Sequence, residues 1–178
     1  LRGLLGGHSG VEIDKGRTNA VLFLARYLFT LRDKVSFLLE EYSGGQKDNA
    51  IPREADAVLV FREETAEEDL LVARQLAAAL TEEIRSGEPE AAFILTMEEE
   101  AVPEVPVVHP RSFEKFLFLL MQTPNGVQTM SSDIPGLVES SLNLGICKLE
   151  AMKAVCLWSL RSSKKSYLHY LRDKLMYL

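Results

Sequence analysis

The hydrophobic positions fall into blocks separated by glycine, proline and charge. Residues 1–13 set a short apolar run and His8 among glycines, which predicts a strand passing through a tight backbone site. From Ala20 to Leu31 the chain is apolar around most of a helical circumference, and Thr18 or Asn19 can cap that helix. Ser43-Gly44-Gly45 supplies a stop, so one helix is expected to about Tyr42. A helix apolar on more than one face must be covered on more than one face. Two short strands follow, near residues 47–53 and 55–62, with Pro52 confining the first to an edge or a bulge. Glu63, Glu64, Glu67, Glu68 and Asp69 open a second helix reaching about Arg85, where carboxylates favour the positive end of the helix dipole. Residues 91–97 read as another strand. The first hundred residues thus predict β-α-β-β-α-β, a ferredoxin-like split βαβ sheet of the α/β (α+β) class with helices packed on it.

Residues 98–110, rich in proline and acid, read as a connection. A third helix at about 111–122 carries Phe113, Phe116, Leu117, Leu120 and Met121 on one side, and Pro124-Asn125-Gly126 signals a turn. Strands at 137–149 and 151–160 and a final helix at 163–178 extend the same sheet. That helix is expected to bury Tyr167, Leu168, Leu171, Leu175 and Leu178 at helical spacing. A single domain over residues 1–178 is the expected organisation.

Composition narrows the function classes. The 178 residues are 47% hydrophobic and 26% charged, ordinary for a globular protein and unlike a disordered or disulfide-framed chain. Twenty basic against 26 acidic residues give a net charge of −6, which offers no general basic surface to nucleic acid. No uninterrupted apolar run is long enough to predict a membrane span. Cys147 and Cys156 sit in apolar surroundings and read as small buried hydrophobes in a reducing compartment, although flanking strands would allow a disulfide. The opening Leu-Arg-Gly-Leu-Leu-Gly-Gly-His has no signal-peptide character and leads to the expectation of a domain cut from something longer.

Candidate chemistry is sparse. His8, His109 and His169 share no metal-ligand spacing with one another or with the cysteines, so no complete zinc site is expected within the chain. His109 reads as a solvated loop residue and His169 as a surface residue of the last helix. His8 differs: glycine on both sides lets the backbone approach a ligand and leaves the imidazole unobstructed. The residues alone leave a turn role and a catalytic role both open. No nucleophile elbow, phosphate loop or dinucleotide fingerprint is found.

The run Gly6-Gly7-His8-Ser9-Gly10-Val11-Glu12-Ile13-Asp14-Lys15-Gly16-Arg17-Thr18-Asn19-Ala20 resembles the start of the lid, or dimerisation, domain of Xaa-His (aminoacyl-histidine) dipeptidases. These form a branch of the di-zinc metallopeptidases that include carnosinase and aminoacylase. Asn49-Ala50-Ile51-Pro52-Arg53-Glu54-Ala55, Pro124-Asn125-Gly126-Val127 and Gly136 to Gly145 resemble the same branch in the same order, as does the strand ending Leu160-Arg161-Ser162-Ser163. The resemblance implies a cytoplasmic parent enzyme that cleaves unblocked dipeptides, Xaa-His among them, and that forms a homodimer through its lid. It implies no nucleic-acid or membrane partner. Two zinc ions, a bridging water and a glutamate base would lie in a catalytic domain that this chain lacks; the fragment would bind no zinc and be inactive alone.

By the same resemblance His8 maps onto the lid histidine that stabilises the oxyanion, and Asn49 onto an asparagine that holds the substrate's C-terminal carboxylate. Arg161 is the favoured partner for that carboxylate and Arg62 its rival, since a guanidinium forks onto a carboxylate with two parallel hydrogen bonds. Ser9, Ser141 and Asn143 are further candidates to line the site. The alternative reading is a non-enzymatic ferredoxin-like homodimerisation module joined through its apolar first helix.

Overall fold

The computed structural model describes residues 1–98, 106–150 and 153–178. Residues 99–105 of the expected connection, and residues 151–152 at the start of an expected strand, lie outside the described residues. The class is the mixed α/β one expected. Helices α1 (Ala20–Leu31), α2 (Ala66–Ile84), α3 (Pro110–Gln122) and α4 (Lys165–Tyr177) accompany two antiparallel sheets. The smaller sheet pairs β1 (Gly7–His8) with β3 (Ala50–Ile51). The larger contains β2 (Phe37–Gly44), β4 (Ala55–Phe61), β5 (Gly126–Met130), β6 (Val138–Glu150) and β7 (Lys153–Ser162), ordered β4-β2-β6-β5 with β7 on the other side of β6.

Asn19 caps α1, its side-chain oxygen accepting the Leu22 amide at 3.3 Å. Eight of the twelve α1 residues are buried, among them Val21, Leu24, Leu28 and Leu31. The helix packs against α2, α3 and the sheet, which accounts for its all-round apolarity within the chain itself. That apolarity is thus satisfied within the chain and does not itself call for a second copy. Each fully buried Leu or Val contributes about 1.5–3 kcal/mol relative to exposure. Phe113 and Phe116 of α3 seat on Phe37 and Tyr42 of β2 in edge-on contacts at 5.6 and 5.1 Å between ring centres.

The first helix ends at Leu31 rather than at Tyr42, and residues 37–44 form the strand β2. The register with β4 slips between Leu39 and Glu41, and this bulge turns both Leu39 and Tyr42 inward. Two inward side chains three residues apart copy helical spacing, so the hydrophobic pattern there does not distinguish strand from helix. Residues 91–97 are not a sheet strand. Ala92 makes only an isolated bridge with Arg2, while Phe93 is drawn onto α1, its ring 4.7 Å from that of Tyr27. Residues 47–53 form only the two-residue β3, since a loop and Pro52 bound it. On α4 only Leu171 is fully buried, Tyr167, Leu168, Leu175 and Leu178 being half-buried, because β7 covers a narrow stripe of that helix. His109 is exposed but does more than line a loop: it caps α3, its Nδ1 accepting the Arg111 amide at 3.2 Å.

Cys147 and Cys156 are free thiols facing each other across β6 and β7, with the sulfurs 3.5 Å apart.

Candidate active site

Three parts of the chain meet around His8. β1 is held against β3, His8 opposite Ala50, and the Ser9 amide donates to the Asn49 carbonyl at 2.9 Å. Asn49 is therefore fixed beside the His8–Ser9 backbone, at the end of a loop that crosses β6. That crossing depends on Gly145: a Cβ there would stand 2.4 Å from the Asp48 carbonyl oxygen. Beneath β3, the side chain of the fully buried Asn143 donates to the Ala50 carbonyl at 2.8 Å and accepts from Asn19 Nδ2 at 3.2 Å. Asn19 Nδ2 also donates to the Leu144 carbonyl at 2.9 Å, so two buried amides bolt the α1 cap, β6 and β3 into one unit.

The His8 ring is exposed, and the backbone that follows sets its tautomer. The amides of Gly10 and Val11 both donate to His8 Nδ1, each at 3.2 Å. A neutral imidazole has one N–H and one acceptor nitrogen, so with Nδ1 accepting, the proton sits on Nε2 and that nitrogen is the donor. Glu12 closes the turn. Its Oε2 accepts the His8 amide at 2.9 Å, its own amide donates to the His8 carbonyl at 2.9 Å, and Arg17 holds its Oε1 at 3.3 Å.

Arg161 reaches the same place from β7, where it pairs with Ser141. A Cβ on Gly10 would lie 3.0 Å from its Cζ and Nε and 3.1 Å from His8 Cε1, so guanidinium and imidazole flank one glycine. Arg62 leaves the far end of β4, a strand whose near end, Ala55, is five residues from Ala50. Seven strand residues span roughly 20 Å. The chain thus gathers His8, Asn49 and Arg161 about the segment 8–10 and leaves Arg62 apart. Ser9 Oγ is buried here, and among the described residues nothing bonds to it.

Residues 1–88 match the sequence profile of the peptidase dimerisation domain. The chain is also 33% identical to the cytosol non-specific dipeptidase of Escherichia coli strain K12, across 98% of its own length and 36% of that protein. These similarities support a peptidase dimerisation, or lid, domain. The crystal structure of aminoacylhistidine dipeptidase from Vibrio alginolyticus superposes on this dimerisation domain with a TM-score of 0.87 at 32% identity, covering 99% of this chain and 35% of that one. The chain spans about a third of the length of these two relatives.

Among the described residues no three His, Cys, Asp or Glu side chains come together as a metal site. The resemblance places its zinc ions in a catalytic domain outside this chain, and no metal-dependent step is assigned to the described residues. Among the same residues no helix is long and apolar enough to cross a membrane.

Glu12 and Glu88 support the site without having stood out in the sequence, and Asn19, expected only as a helix cap, also ties that cap to β6. Glu12 and Asn19 lie inside the glycine-rich motif but look like turn and cap residues. Glu88 gives no local signal, because its partners are Leu5 and Thr18, 83 and 70 residues away.

Proposed function

We propose that this chain is the lid of a cytoplasmic, zinc-dependent homodimeric dipeptidase that hydrolyses Xaa-His and related unblocked dipeptides. His8 supplies an oxyanion donor, and Asn49 and Arg161 hold the substrate's C-terminal carboxylate. The metal chemistry belongs to parts of the parent enzyme outside this chain; the chain's own share is donation and orientation. The observation that carries the reading is the Nδ1-accepting pose of His8, which leaves Nε2–H as the outward donor with the Arg161 guanidinium beside it. A donor aimed where negative charge grows stabilises the tetrahedral intermediate, while a cation a short distance away suits the carboxylate end of the same small substrate. The names of the two relatives, a cytosol non-specific dipeptidase and an aminoacylhistidine dipeptidase, support the substrate class and the compartment. The dimerisation-domain profile supports the homodimer.

The test is hydrolysis of β-alanyl-histidine and other dipeptides by the metal-loaded full-length enzyme. His8→Ala should lower kcat by about 10²–10³ with KM little changed. Arg161→Ala should act mainly on kcat/KM, and Arg62→Ala on neither. Full activity in His8→Ala would remove the oxyanion role, and no turnover of any dipeptide by the wild type would remove the enzymatic reading.

A further inference from the structure

We propose that Glu88 is a positioning residue for His8, its buried carboxylate pinning both ends of the loop that presents the imidazole. The side chain is only 2% exposed. Its Oε2 accepts the Leu5 amide at 2.6 Å and its Oε1 accepts the Thr18 amide at 2.8 Å. Between those anchor points the chain runs out through Gly6 and Gly7, presents His8, turns at Glu12 and returns to the α1 cap. One carboxylate thereby closes the base of the loop, in the way a clasp holds the two ends of a strap.

Glu88 is itself well placed to be rigid. It follows α2, its amide donates to the Ile84 carbonyl at 2.9 Å, and its carbonyl accepts the Ala91 amide at 3.1 Å. The loop thus takes its position from the end of a 19-residue helix packed in the core. Glu12 shapes the turn locally, whereas Glu88 ties that turn to the rest of the molecule.

Chemistry at this point requires a carboxylate. Two amide N–H groups arrive from different directions, and a carboxylate offers an acceptor oxygen to each. A glutamine of the same shape has one oxygen, and its NH2 would face the second amide donor to donor. Glu88→Gln therefore releases one end of the loop while leaving the space filled. Loosening the loop moves the donor relative to the reacting carbonyl and leaves the carboxylate clamp of Arg161, carried on β7, in place.

This inference rests on the oxyanion reading of His8. The experiment compares wild type, Glu88→Gln, Glu88→Asp, His8→Ala and the His8→Ala/Glu88→Gln double variant of the metal-loaded full-length enzyme on β-alanyl-histidine. Amide hydrogen exchange over residues 5–18 is followed in each. Glu88→Gln should lower kcat about tenfold with KM within about twofold, and should speed exchange in residues 5–18. Glu88→Asp keeps the charge and both acceptors, so its loss should be smaller. In the His8→Ala background the Glu88→Gln penalty on kcat should disappear. Should Glu88→Gln fail to fold, Glu88→Asp takes its place in the same cycle, where its smaller loss must vanish likewise. Wild-type kcat in Glu88→Gln, or an undiminished penalty on the His8→Ala background, would overturn the positioning role while a depressed His8→Ala kcat left the oxyanion reading standing. An unaffected His8→Ala would overturn both.

Discussion

Gly10→Ala tests the proximity of His8 and Arg161 with one methyl group. The added Cβ would stand 3.0 Å from Cζ and Nε of Arg161 and 3.1 Å from Cε1 of His8. Non-bonded heavy atoms settle at about 3.5–4.0 Å, so both side chains must retreat by roughly half an ångström to one ångström. Gly10 has no positive φ, and both neighbours are exposed side chains that can yield by that much, so the cost to stability should stay within about 0.5 kcal/mol. The cost to catalysis should be larger, since misplacing a reacting group by about 1 Å lowers turnover up to 10²-fold. The assay is dipeptide hydrolysis by the full-length enzyme, with thermal unfolding measured in parallel. Gly16→Ala is the matched control: its φ of +69° strains any side chain, but nothing lies within 4 Å of the added atom. It should cost about 1–2 kcal/mol of stability with kcat unchanged. Wild-type kcat and KM in Gly10→Ala would refute the claim that His8 and Arg161 act together over this glycine.

Three further outcomes follow from the interior. Leu28→Ala, at a core position of α1 with no exposed surface, should destabilise by about 2–5 kcal/mol in urea unfolding; a change below about 1 kcal/mol would contradict the packing described. Burial pushes the Tyr27 phenol up to about 12 from its ordinary 10.0, so the folded state favours the protonated form. The stabilisation is complete below pH 10 and is lost as pH rises from 10 to 12, by roughly 2–3 kcal/mol. Tyr27→Phe should lack that part of the alkaline decline, and an identical decline in both proteins would contradict it. For the cysteines, the hydrogen bond to Cys156 and burial push the Cys147 thiol up, while the hydrogen bond from Cys147 lowers Cys156, which is also the more exposed. Iodoacetamide should modify Cys156 first, as read by mass spectrometry; prior labelling of Cys147 would contradict the assignment.

Much of this architecture was legible in the pattern of residues. The all-round apolar α1, the acidic start of α2, the aromatic stripe of α3 and the β6–β7 pair each carry a local signal of the right period. The misreadings arose where tertiary structure overrode the period. A bulge in β2 set Leu39 and Tyr42 at a helix-like spacing, and Phe93 left a strand-like run to pack on α1. The site divides in the same way. His8 stands out because glycines surround it, and Asn49 and Arg161 because they sit in motifs that resemble a known lid. The convergence of Arg161 on Gly10 is a property of the β6–β7 register, and the clasp at Glu88 joins residues more than 60 positions apart. Neither leaves a trace in local sequence.

The most direct test of the account is a crystal structure of the metal-loaded full-length enzyme with a phosphinic analogue of a dipeptide in the cleft. His8 Nε2, from either subunit, should lie about 2.7–3.1 Å from the phosphinyl oxygen, with Arg161 on the analogue's carboxylate. His8 turned to solvent, or Arg161 apart from the carboxylate, would contradict it.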